Sequence, residues 1–94
     1  MTILEEIEEF LSNIPLEYVF STGWFKDELS KKYKRPRDSY IPSDYCYNRK
    51  NYGINYEKQP HYFLFLERGR YKYVGKNYNY NGFVEHNLKN KNIK

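Results

Sequence analysis

The 94-residue sequence contains no alanine, one cysteine, one tryptophan and no basic residue before position 26. The missing alanine argues against a coiled coil or a plain helical bundle, whose helices lean on Ala and Leu. A lone Cys46 cannot close an internal disulfide. With only His61 and His86 as further soft donors, it cannot complete a zinc site either. No apolar run approaches the ~20 residues a bilayer span requires. The acidic start lacks the basic and apolar regions of a secretion signal. A reducing, cytoplasmic setting is the expectation.

Aromatic residues take the place of the missing aliphatics. They make up 20% of the chain against 39% for all hydrophobics, so about half of the apolar content is rings, too much to leave the chain disordered. A single small domain over residues 1–84, with a polar basic tail over 85–94, fits the length.

Charge is segregated. Residues 1–17 hold five glutamates and no cation, which leaves all 16 basic residues and seven of the 12 acids to the remaining 77 positions. The balance there is +9 (16 minus 7). A field of that sign concentrates polyanions.

Thr2-Ile-Leu-Glu5 has the form of a capping box. Ile3, Leu4, Ile7, Phe10, Leu11 and Ile14 then recur at helical spacing until Pro15, predicting an amphipathic first helix whose glutamates point away from any polyanion. Leu16–Phe20 reads as a short strand. Ser21 and Thr22 supply N-cap hydroxyls for a second helix over about 23–33. The cation-rich turn Lys31–Arg37 follows. A third short helix is expected over 40–50, with Pro42 in its first turn and Gly53 beyond its end. There Ser43, Tyr47 and Lys50 share one side. Two aromatic-rich runs flank Arg68-Gly69, the signature of a hairpin with a two-residue turn that sets Glu67 against Arg70.

This order predicts an α+β fold, a small winged helix-turn-helix with three helices and a β-hairpin wing. The third helix would enter a major groove and the wing would touch the backbone of double-stranded DNA. The candidate contacts are Lys34, Arg35, Arg37 and Ser39 before that helix, Ser43, Tyr47, Arg49 and Lys50 on it, and Arg68 and Arg70 on the wing. Exchanging Arg35 and Arg37 for Glu is expected to abolish binding and spare the fold. The reading involves no catalytic residue, metal, cofactor or membrane. Cys46 reads as a packed side chain, since only Arg49 lies at helical distance to activate it.

Two blocks, Ile41-Pro-Ser-Asp-Tyr-Cys-Tyr-Asn-Arg49 and Arg68-Gly-Arg-Tyr-Lys-Tyr-Val-Gly75, carry a likeness beyond these patterns. Together with Asn51, Gly53-Ile54, Asn77-Tyr78 and Tyr80-Asn-Gly82, they resemble a small, poorly characterised bacterial and phage domain family of winged-helix modules. The resemblance covers about residues 3–83. It implies a module that stands alone or accompanies restriction-type nucleases, and names no activity.

The rival expectation is a protein-binding module, such as a phage-encoded inhibitor of a host defence system, working through the acidic first helix or the tyrosine-rich surface. Whether two copies pair into a homodimer is left open by the sequence.

Overall fold

The computed structural model describes residues 1–87. Helix α1 covers Ile3–Leu11 and α2 covers Thr22–Tyr33; strands β1 to β5 cover Val19–Ser21, Arg49–Asn51, Phe63–Glu67, Arg70–Tyr73 and Glu85–Asn87. Single 3-10 turns occupy Arg37–Ser39, Pro42–Tyr45 and Tyr56–Lys58. The architecture is mixed α+β, with a three-stranded antiparallel sheet ordered β1-β4-β3 and a separate parallel pair β2-β5.

The helix starts follow from the sequence. Thr2 accepts from the Glu5 N–H while Glu5 reaches back to the Thr2 N–H, so two donors that no turn of the helix could satisfy are paired. Ser21 accepts from the Trp24 N–H at 3.1 Å and begins α2. That helix ends at Lys34, in the left-handed region at φ 63°, whose N–H returns to the Ser30 carbonyl.

Aromatic rings build the core. Phe20, Phe63 and Tyr71 lie on one side of the sheet, where Phe20 meets Phe25 of α2 in a stacked pair at 5.4 Å and Phe63 edge-on at 5.1 Å. Ile7 and Leu11 of α1, with Leu29 of α2, close the layer. Ring pairs at these separations favour offset or edge-on contact, because the ring face is negative and its edge positive.

The hairpin forms as expected. Phe65 pairs with Tyr71 and Glu67 with Arg70, with a register shift between Phe65 and Glu67, and Gly69 turns at φ 78°, a conformation that costs glycine little. The turn is also anchored: the Thr22 N–H donates to the Gly69 carbonyl at 3.0 Å.

The expected α-helix over 40–50 takes another form. The segment makes the 3-10 turn Pro42–Tyr45, bridges Phe63 in parallel at Cys46, and becomes β2. Its polar groups go to the edge of β3: Tyr47 N–H to the Phe63 carbonyl, and Tyr62 N–H to the Tyr45 carbonyl. Asn48 clamps Phe65 through both its amide nitrogen and its amide oxygen. An edge strand offers a row of unpaired groups, and this segment satisfies them. The residues it buries are Tyr40, Pro42, Cys46 and Tyr47, a set that no single helical stripe contains.

Residues 85–87, expected to begin a tail, form β5 against β2. Positions 88–94 of that expected tail lie outside the described residues.

Candidate nucleic-acid interface

Two of the arginines predicted to meet DNA, Arg35 and Arg49, are held largely within the molecule. Arg35 is the clearest correction. Its Nε and one terminal nitrogen donate to the two oxygens of Glu6 at 2.9 and 2.8 Å, and the same terminal nitrogen reaches the Met1 carbonyl at 2.9 Å. The buried Tyr40 hydroxyl donates to Glu6 as well, at 2.6 Å. Arg35 and then Tyr40 hold the Glu6 carboxyl down to about 2. Burial, reinforced by Glu6, pushes Tyr40 up to about 12. Arg35 is thus an internal tie between α1 and the chain after α2, and replacing it with Glu would not leave the fold untouched.

Arg37 is paired with Asp27, and Lys26 with Asp38 at 3.2 Å. These two crossed ion pairs pin the 3-10 turn Arg37–Ser39 to α2. Ser39 is half-buried there. Arg49 pairs with Glu85 at 3.0 Å and lies over the Phe65 ring at 4.3 Å. Ser43 accepts from the Asn51 amide at 2.9 Å. Tyr47 is buried rather than groove-facing, its hydroxyl donating to the Gly75 carbonyl at 2.6 Å. These positions therefore do not form one reading face.

Of the α1 glutamates, Glu6 is buried, while Glu5, Glu8 and Glu9 are exposed. Glu8 accepts from the Tyr62 hydroxyl and pairs with Lys76 at 3.5 Å, and Glu9 accepts from Tyr33. The Tyr62 contact, with help from Lys76, lowers the Glu8 carboxyl. Burial and then Glu8 raise the Tyr62 phenol. One helix thus ties Tyr33, Tyr40 and Tyr62 to its carboxylates, of which Glu6 is buried and Glu8 and Glu9 stay exposed.

The hairpin carries exposed cations of its own, as do α2 and the turn after it. Arg68 sits exposed at the turn and Arg70 exposed at the start of β4. Burial along β4 alternates about Tyr71, so Arg70 and Lys72 share the face opposite that ring. Lys72 stands between Val19 and Leu64 in the strand register. Glu67, 3.6 Å from Arg70, is the described carboxylate that pairs in this group. Lys34 is exposed but remote: α2 begins beside the Ser21–Arg70 rung, and its 12 residues carry the chain roughly 18 Å away at the usual helical rise. Lys50 lies on β2, paired with β5 and not with the hairpin strands.

The matching family model is that of a domain of unknown function, DUF7225, and it spans residues 2–94. The chain belongs to this family. A relative from Bacillus subtilis strain 168, described as uncharacterized protein YnaC, is 45% identical over 84 residues, 89% of this chain. The chain spans 31% of that relative's length. No solved structure matches.

Lys72 is the hairpin cation that the sequence reading did not single out. The available signal was strand alternation, which puts it on the side of Arg70. Cys46 is fully buried, its thiol pushed up by burial and directed at the Pro42 carbonyl at 3.6 Å. Among the described residues no three of His, Cys, Asp and Glu gather as a metal set. None of the described helices is long and apolar enough to cross a membrane.

Proposed function

We propose that this chain binds nucleic acid non-enzymatically through its β3–β4 hairpin, set against the sugar-phosphate backbone of a duplex. The supporting observation is that Arg68 and Arg70 are exposed at the hairpin end, with half-buried Lys72 on the same face of β4 as Arg70 and Glu67 as the paired carboxylate. On α1, Glu6 is buried against Arg35 and Tyr40, while Glu8 and Glu9 accept from Tyr62 and Tyr33. The turn is tied to α2, so its cations are presented without much ordering cost on binding.

This retains the wing of the winged-helix expectation and sets aside its reading helix, since one 3-10 turn is too short to fill a major groove. Phosphate contact positions a protein but carries no base information. The reading is therefore of a backbone-gripping module, one that could stand alone or deliver a restriction-type nuclease.

Anisotropy of a labelled random duplex and its single strand, titrated at several salt concentrations, tests this. Three phosphate contacts give a slope of about −2.7 in log affinity against log salt. Exchanging Arg68, Arg70 and Lys72 for Glu should remove that binding. Wild-type affinity in the triple variant would overturn the proposal.

One observation favours the protein-binding alternative: Val19 and Leu66 of the sheet, with Leu16 and Tyr18 beside it, are exposed. A chain that bound neither nucleic acid at low salt would move the proposal to a protein partner at this surface.

A further inference from the structure

Neighbouring rungs of the short β2–β5 ladder are treated in opposite ways. Arg49 faces Glu85 and is neutralised by it at 3.0 Å. One residue on, Lys50 faces His86. Successive residues of a strand point to opposite sides, and directly paired residues of adjacent strands point to the same side. The second rung therefore sets an ammonium beside an imidazole, and no described carboxylate forms an ion pair with either. The Lys50 ammonium also lies over the Tyr56 ring at 6.0 Å, so among the described residues it meets a ring and an imidazole and pairs with no carboxylate.

Space for an anion is present. Lys50, Asn51, Tyr52, Gly53, Ile54 and His86 line an open surface pocket of about 220 Å³. Its floor is a tight turn, closed by the Ile54 N–H on the Asn51 carbonyl at 3.2 Å, with Gly53 at φ 85°. Tyr52 is 59% exposed at the rim, where a ring could cover a flat group carried by the anion.

We propose that this pocket binds a phosphate group, with Lys50 and His86 as the donors that hold its oxygens. Lys is a point-charge phosphate donor, and an imidazole N–H donates beside it. This site is separate in sequence and in residues from the hairpin, so it stands or falls independently of the duplex reading. The phosphate could belong to a free mononucleotide, whose base Tyr52 would stack, or to the backbone of a nucleic-acid strand.

The test is a titration of the isotopically labelled full chain, following amide resonances by NMR, with inorganic phosphate, then a mononucleotide, then a short single-stranded oligonucleotide. Phosphate should move the amides of residues 50–54 and 86 saturably and leave those of Phe63 and Tyr71 in place. Lys50→Gln should weaken this binding about tenfold, the loss of one charge-assisted contact. His86→Gln should do likewise, and Lys50→Gln still reports if the histidine variant loosens β5. A mononucleotide that binds more tightly than phosphate, and loses that advantage in Tyr52→Ala, identifies a free nucleotide. An oligonucleotide that binds more tightly than both identifies a strand. No saturable shift with phosphate, or shifts that persist unchanged in both Lys50→Gln and His86→Gln, would overturn the assignment. The hairpin triple variant keeps this pocket, so a failed duplex titration and a failed phosphate titration remain distinguishable.

Discussion

Arg35 grips both carboxylate oxygens of Glu6 from a position 29 residues further along the chain. A planar guanidinium matches a carboxylate in this two-bond geometry, which a lysine cannot reproduce. Tyr40 adds a third hydrogen bond to the same carboxylate. The cluster joins α1 to the chain after α2, and two of its three members are buried.

The first prediction concerns that tie. Arg35→Gln and Glu6→Gln should each lower the melting temperature by several degrees, and Arg35→Glu should lower it further by opposing two carboxylates. Because removing one partner strands the other, the double Gln variant should lose less than the sum of the singles. Melting curves that matched wild type for Arg35→Glu would show that the contact carries no stability.

A second prediction concerns acid. The Glu6 carboxyl sits at about 2 in the folded protein against 4.5 ordinarily, and Glu8 is also lowered. A group lowered on folding contributes stability that is complete above its unfolded value and is lost as pH falls through the folded one. Urea midpoints should therefore fall from about pH 4.5 downward. Glu6→Gln should flatten that fall, and an identical acid profile in the variant would refute the linkage.

The hairpin gives a third. Each of Arg68→Gln, Arg70→Gln and Lys72→Gln should leave stability within about 0.5 kcal/mol. Each should also reduce the salt slope of nucleic-acid binding by about 1. Circular dichroism melts and the anisotropy titration read the two effects separately.

Asn48 offers a fourth. Its side chain both donates to and accepts from the Phe65 backbone, 17 residues away. Asn48→Ala leaves two partly buried backbone groups without partners and should cost about 1–3 kcal/mol. Amide exchange at Phe65 should accelerate; unchanged protection there would mean that another group replaces the clamp.

The last prediction uses the buried thiol. Cys46 is fully enclosed and burial raises its thiol, so a thiol reagent should label it only as fast as the chain opens. Labelling of the native protein at the rate of a free thiol would contradict this packing.

What the sequence made legible was local. The capping box at Thr2, the Ser21 cap and the Arg68-Gly69 turn each rest on residues within four positions of one another, and each stands where it was expected. The third helix failed because its evidence was also local. The spacing of Ser43, Tyr47 and Lys50 suits a helical face, while the groups that decide the conformation belong to β3, at Phe63 and Phe65. Arg35 was misread for the same reason. Its cationic neighbours suggest a polyanion site, but its partner Glu6 lies on the first helix. Sequence spacing along 31–37 holds no trace of that pairing.

The hydrogen bond from Thr22 to the Gly69 carbonyl makes the hairpin tip and the first turn of α2 one mechanical part. At the far end of that helix stands Lys34, directly before Arg35, so α2 links the hairpin turn to the tie that holds α1.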